Sequence, residues 1–220
     1  MERIDNVEWR VSDDLVPYEE ALAFMERRAA GIRSGTEKEC VWLLEHPALF
    51  TSGTSADPAE LINPLGFPVF EAGRGGRYTY HGPGQRVGYV MLDLEQRGRD
   101  LRRLVHCLEG WIIDSLGQLK VDAHRASGRI GIWVGEGEEE AKIAALGIRV
   151  QKWVTLHGFS INVDPDLAHF SGIVPCGIAD FGVTSLSRLG KESAISRVDA
   201  ALKRMFRSFL NSLVDRHQVT

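Results

Sequence analysis

The sequence predicts an α/β architecture of the α+β type, mixed β-sheets flanked by helices, and three observations carry that prediction. Three stretches repeat apolar residues at helical spacing. Several short β-branched and aromatic runs are punctuated by Gly and Pro, the last of them forming a β-meander. At 220 residues, with 44% hydrophobic and 25% charged residues, the chain has the makeup of a globular domain able to bury a full core.

The first helix is expected from Pro17, a residue favoured at a first helical position, with Asp13 and Asp14 before it as caps. Tyr18, Leu22, Met25 and Ala29 share its apolar face, and Gly31 and Gly35 mark its end. That face should pack on a sheet. Residues 39–46 read as a buried strand, and residues 47–66, with three prolines, as a long surface loop of the kind that often acts as a lid. Residues 78–81 and 87–94 read as strands joined by the turn Gly82-Pro83-Gly84. A second helix follows from the stripe Leu101, Leu104, Val105, Leu108, Trp111, Ile112 and Leu116. Residues 129–134 form a strand running into an acidic tip at 135–140. Residues 142–150 and 154–163 complete the meander, where Gly147 and Gly158 suggest bulges or close backbone approach. Val198, Leu202, Met205, Phe206, Phe209 and Leu213 define a closing helix. The expected organisation is a single domain over residues 1–220, with a small C-terminal lobe from about residue 183 as a variant of that plan.

Charge and cysteine usage narrow the function. A formal charge of −4 with mixed signs throughout gives no basic stripe for phosphates, so nucleic acid is an unexpected partner. No apolar run reaches the roughly 18 residues of a membrane helix, and the first residues lack a signal peptide's apolar core, so a cytoplasmic protein is expected. Cys40, Cys107 and Cys176 are odd in number and form no C-x-x-C pair, which argues against a disulfide framework or zinc ribbon. No histidine pair has a metal-motif spacing and no Gly run matches a nucleotide fingerprint, so neither metal nor other cofactor is expected. His46, His106, His124 and His217 lie in contexts suited to surface or capping roles.

Polar chemistry concentrates elsewhere. Arg74-Gly75-Gly76-Arg77-Tyr78-Thr79-Tyr80-His81 joins a Gly-rich loop to a short strand, which suits one wall of a substrate site. Cys176, between Pro175 and Gly177, has the least core-like surroundings of the three cysteines, and such a turn can set backbone N–H groups beside a thiol nucleophile. A free thiol with a pKa of about 8.5 is mostly protonated at neutral pH, so it needs a cation or base beside it. His81, His157, His169 and Lys142 are the candidates. Lys142 precedes the nearly uncharged Ile143-Ala144-Ala145-Leu146-Gly147, and reads either as a strand-start surface lysine or as an ammonium aimed at a site. His81 and His157 each precede a glycine at a strand end, where a pocket-edge role and a structural hydrogen bond are both open.

Residues 74–85, 142–147 and 153–162 together with Pro175-Cys176-Gly177 closely resemble the lipoyl(octanoyl) transferases, four motifs in the family's order covering most of the chain. The resemblance implies the biotin/lipoate protein ligase fold. It also implies transfer of octanoyl from octanoyl-acyl carrier protein to a lysine of lipoyl domains, those of 2-oxoacid dehydrogenase E2 subunits and the glycine cleavage H protein, as the first step of endogenous protein lipoylation. By this resemblance Cys176 is the acyl-thioester nucleophile and Lys142 lowers its pKa. Arg74, Gly75, Gly76, Arg77, Tyr78, Thr79, Tyr80 and His81 fall on the acyl pocket, as do Ala145, Leu146 and Gly147 and the run His157, Gly158, Phe159 and Ser160. Arg77 stands where the family often has glutamine, Ser160 replaces a small apolar residue, and the 135–141 tip is unusually acidic. The rival readings are an ATP-dependent lipoate or biotin protein ligase on the same fold, a non-catalytic acyl- or lipoyl-domain-binding protein, and a thioesterase.

Overall fold

The computed structural model describes residues 2–173 and 182–214. In chain order its elements are β1 (Glu2–Ile4), β2 (Val7–Leu15), α1 (Tyr18–Ser34), β3 (Cys40–Glu45), β4 (Leu49–Ser52), β5 (Val69–Glu71), β6 (Thr79–His81) and β7 (Gln85–Met91). There follow α2 (Leu101–Gln118), β8 (Ala123–Ala126), β9 (Arg129–Val134), β10 (Ala141–Gln151), β11 (Val154–Asn162), β12 (Gly182–Val183) and α3 (Ile195–Leu213).

The large sheet runs β1-β2-β3-β7-β11-β10-β9-β8, with β12 added in parallel beside β10, and the small sheet runs β5-β4-β6. The expected α+β class with mixed sheets is therefore what forms. β2 and β3 pair in parallel because α1 connects them, whereas β9 to β11 form the predicted antiparallel meander, which the unpredicted β8 extends. Alternation along the central strands sends two sets of side chains to opposite faces. Trp42, Leu44, Tyr89, Met91 and Leu156 meet Met25 and Ala29 of α1, while Val41, Val90, Phe159 and Ile161 meet Leu108 and Trp111 of α2 and Phe206 of α3.

Two expectations change and one resolves between its alternatives. Asp13 and Asp14 do not cap α1; they lie in β2, and Pro17 holds the cap position without a side-chain hydrogen bond. Residues 47–66 are not all loop, since β4 and a 3-10 turn at Pro58–Glu60 lie inside them. The main irregularity of β10 lies between Lys142 and Ala144, where Ile143 is the extra residue opposite β9. The glycines expected to mark a bulge or close approach do the latter: Gly147 and Gly158 pair with each other, and a Cβ on Gly158 would overlap the Gly88 carbonyl of β7.

α3 is tied to the sheet by a bidentate ion pair. Arg86 of β7, only 3% exposed, donates through Nε and Nη2 to the Asp199 carboxylate at 2.8 and 2.6 Å. Asp199→Ala is expected to cost about 3–5 kcal/mol, because it leaves a buried guanidinium without its carboxylate, and Asp199→Asn should cost less. Urea unfolding of the two variants checks this.

Candidate active site

Between the small sheet and the β10–β11 ladder lies a small cavity of about 60 Å³, continuous along its wall with a larger groove of about 450 Å³. The two share Gly76, Arg77, Ala145, Leu146 and Gly147. A third, small space is walled by Thr79, Ala145, Ser160, Asn162, Val183 and Lys142, so Lys142 stands where that space and the groove meet.

Each wall follows from local structure. Arg74, 7% exposed, spends its guanidinium on backbone rather than on the cavity: it donates to the Thr51 carbonyl and Oγ1 at 2.9 and 2.7 Å, and to the Gly75 and Arg77 carbonyls at 3.0 Å. Gly75 donates its N–H to Ile148 of β10, joining the loop to the ladder. Arg77 points out to an ion pair with Glu60. β6 alternates, so Thr79 and His81 face the cavity with Tyr78 beside them, while Tyr80 faces the opposite way. Tyr80 lines none of these spaces; it fills the core under the small sheet with Phe50 and Phe170, its hydroxyl 2.8 Å from His169 Nδ1. Gly75 lines the groove but not the small cavity.

Ala145, Leu146 and Gly147 of β10 face Ser160, Phe159 and Gly158 of β11 in register. A Cβ on Gly147 would come within 2.7 Å of Arg74 Cδ, so glycine is what lets the loop pack there. His157 is not at a strand end, as expected, but inside β11, with a left-handed φ of 62°. Simple alternation would put it with Phe159 under α2 and α3. Instead its ring reaches the α1 face, Nε2 lying 3.2 Å from the Tyr18 hydroxyl, and its N–H donates to Met25 Sδ.

Lys142, 7% exposed, is buried on β10 with Nζ 4.8 Å from the centre of the Trp133 ring. Its backbone pairs with Trp133 on one side and Val183 on the other, and its carbonyl accepts from the Thr184 N–H. The surface-lysine reading is thus excluded. Cys176, with Pro175 and Gly177, lies outside the described residues. The chain reaches that segment from Ile173, which bridges Leu61, and leaves it at β12 beside Lys142.

Residues the sequence reading passed over complete the site. His81 Nδ1 donates to Gln85 Oε1 at 2.6 Å, Gln85 Nε2 donates to Asn162 Oδ1 at 3.0 Å, and Asn162 Nδ2 donates to the Thr184 carbonyl at 2.9 Å. This buried chain fixes the segment after β12 against β6 and β7. His46 is fully buried rather than at the surface. Nδ1 donates to the Val16 carbonyl at 2.6 Å, which leaves Nε2 to accept from the Tyr89 hydroxyl at 2.7 Å. A histidine beside proline at a strand end gave no sequence sign of that. Among the described residues no group of three or more His, Cys, Asp or Glu is placed to hold a metal ion, and no helix is long and apolar enough to cross a membrane.

With this geometry established, comparison with known proteins defines the class. A bi-partite lipoate protein ligase of Thermoplasma acidophilum superposes with a TM-score of 0.69 over 95% of this chain and 85% of its own, at 18% identity. The Aquifex aeolicus biotin protein ligase superposes at 0.53 over 97% and 73%, at 14% identity. The fold is that of the lipoate and biotin protein ligases. The profile of the lipoyl protein ligase A/B catalytic domain matches residues 17–207, and an octanoyltransferase of Sphingopyxis alaskensis is 63% identical over 94% of this chain and 95% of its own. The chain belongs to the lipoyl protein ligase A/B catalytic-domain family, on its octanoyltransferase branch, and is an acyltransferase.

Burial holds the site's histidines neutral. It lowers His81 to about 3, helped by the nearby His46; it lowers His157 to about 3, helped by Arg74; and it lowers His46 to about 4. Unfolded, each titrates near 6.5, so the stability they contribute is complete above that pH and is lost as pH falls toward 4 and below. Between pH 7 and pH 5 the parent should lose about 2 kcal/mol per buried histidine, and His81→Asn should lose about 2 kcal/mol less than the parent. Urea titrations at the two pH values measure the difference.

Proposed function

We propose that this enzyme transfers octanoyl from octanoyl-acyl carrier protein to a specific lysine of lipoyl domains, through a thioester on Cys176. The observation that carries the reading is Lys142: a buried lysine where two acyl-accessible spaces meet, backbone-paired to the strand that follows the Cys176 segment. Its ammonium favours a thiolate on a neighbouring cysteine by direct attraction. In the first half-reaction the Cys176 thiolate attacks the thioester carbonyl, a C–S bond forms, and backbone N–H groups with Lys142 hold the oxyanion. The carrier's sulfur then leaves as the C–S bond to it breaks, taking a proton from the Lys142 ammonium and leaving that amine neutral. In the second half, the neutral acceptor amine attacks the octanoyl-enzyme, Lys142 serves as proton acceptor, and the Cys176 sulfur is released as the amide forms. Metal and nucleotide have no part in this sequence.

The small cavity takes the acyl chain and the larger groove takes, in turn, the carrier's arm and the acceptor lysine. Burial of about seven methylene-sized groups at about 0.8 kcal/mol each supplies roughly 5 kcal/mol toward octanoyl over much shorter chains. The acceptors are the lipoyl domains of 2-oxoacid dehydrogenase E2 subunits and the glycine cleavage H protein, in the cytoplasm, and residues 1–220 act as one catalytic domain. In keeping with this, the Thermoplasma acidophilum ligase was characterised together with its E2 lipoyl domain.

Incubation with octanoyl-carrier protein in the absence of ATP should add one octanoyl group, mapped to Cys176 by peptide mass spectrometry. Absence of the adduct would overturn the proposal in favour of an ATP-dependent ligase. Cys176→Ala should abolish it, and Lys142→Ala should slow its formation by about 10²–10⁴-fold. If both variants transfer at the parent rate, transfer does not run through Cys176 and Lys142 and the proposed route fails; a parent that binds the carrier without turnover is a binder rather than a catalyst.

A further inference from the structure

One end of the small cavity is built from groups that an apolar chain gains nothing by touching. Tyr18, Tyr89 and His157 line it together at the part of the ladder away from Lys142, and none of the three lines any other space described above. His157 is 3% exposed; its Nε2 is engaged by the Tyr18 hydroxyl, and its Nδ1 has no hydrogen-bond partner among the described residues. Its φ of 62° is a conformation that a histidine adopts at a cost, and it is what brings the ring to this face. The backbone N–H of His157 donates to Met25 Sδ of α1, which anchors the residue to the same face.

Distance along the ladder matches this arrangement to a chain. The pair Ala145–Ser160 stands at the end of the cavity next to Lys142, and the pair Ile148–His157 lies three residues further along. At an antiparallel rise of about 3.4 Å per residue that is ~10 Å, the reach of an extended eight-carbon acyl group.

We infer that Tyr18 and His157 form the floor that sets the longest acyl chain this site accepts. The inference rests on the acyl-cavity reading of the proposed function. Each added methylene strengthens binding about fourfold while apolar wall remains. A chain longer than eight carbons must break the Tyr18–His157 hydrogen bond or press methylenes against an imidazole nitrogen that then has no route to water, and both are unfavourable. Neutral histidine suits this role, because it is a polar barrier that places no charge beside the chain.

The test is a series of acyl-pantetheine amides of six, eight, ten and twelve carbons, in which the thioester sulfur is replaced by NH so that no transfer occurs. Binding is measured by isothermal titration calorimetry to the full chain. The parent should bind the eight-carbon amide about 15-fold more tightly than the six-carbon one and at least tenfold more tightly than the ten-carbon one. Tyr18→Ala, and His157→Gly, whose backbone suits the left-handed φ, should each reverse the order of the eight- and ten-carbon ligands. Tyr18→Phe, which keeps the ring, should retain the break at eight.

A parent series without a break at eight, a break that survives in both opening variants, or failure of every amide to bind overturns the inference. Should Tyr18→Ala not fold, His157→Gly and the parent series decide. If the break appears and moves while no thioester forms on Cys176, the transfer reading fails and the floor stands. If the thioester forms while the break does not move, the reverse holds.

Discussion

The guanidinium of Arg74 is the interaction on which the site's shape depends. Four donations to three carbonyls and one hydroxyl, made from a nearly buried position, bind the Gly-rich loop to β4 of the small sheet. The loop's other end is pinned to β10 through the Gly75 N–H. The cavity is the gap left between these two attachments. A lysine could not hold the same set, because its single ammonium lacks the fork that reaches Thr51 and Arg77 together. The close approach of Arg74 to Gly147 and of Gly158 to Gly88 then fixes how near the loop, β10, β11 and β7 can lie. One arginine and a few missing side chains thus determine a space that no single element encloses.

Around that space, the Arg74 guanidinium apart, the buried histidines and tyrosines are polar and uncharged. His46, His81 and His157 are neutral through burial, and burial likewise raises Tyr18 to about 12 and Tyr89 well above the ordinary phenol value. Such a lining orders its groups by hydrogen-bond direction alone. Lys142 sits outside this neutral zone, at the opposite end of the cavity, against the face of Trp133. On the proposed function, reactivity and recognition are thereby separated along one strand ladder.

Much of this was legible in the sequence, for reasons that differ by element. The three helices and β3, β7, β9, β10 and β11 were readable because their apolar periodicity continues over many residues. β1 and β2 were missed because their outer positions are polar and exposed, and β4 because a four-residue strand among prolines leaves almost no periodic signal. In the site, the loop at 74–77, Lys142 and the glycines stood out as local anomalies. Tyr80 was misplaced because a motif is contiguous while a strand alternates. The Gln85–Asn162–Thr184 chain and buried His46 were invisible, since their partners lie far away in sequence and only tertiary pairing brings them together.

β11 is buried at all nine positions and flanked by β7 and β10, whereas β12 is held by two ladder pairs at the margin of the same sheet. These lie at opposite ends of a protein's range of local opening energies. On the proposed function, the wall that discriminates ligands belongs to the unit of highest local opening energy. β12 itself has only those two ladder pairs, although the segment after it is tied through Asn162 to β6 and β7. On the proposed function, a loosening of β12 would cost turnover while the wall still discriminates among the molecules it binds.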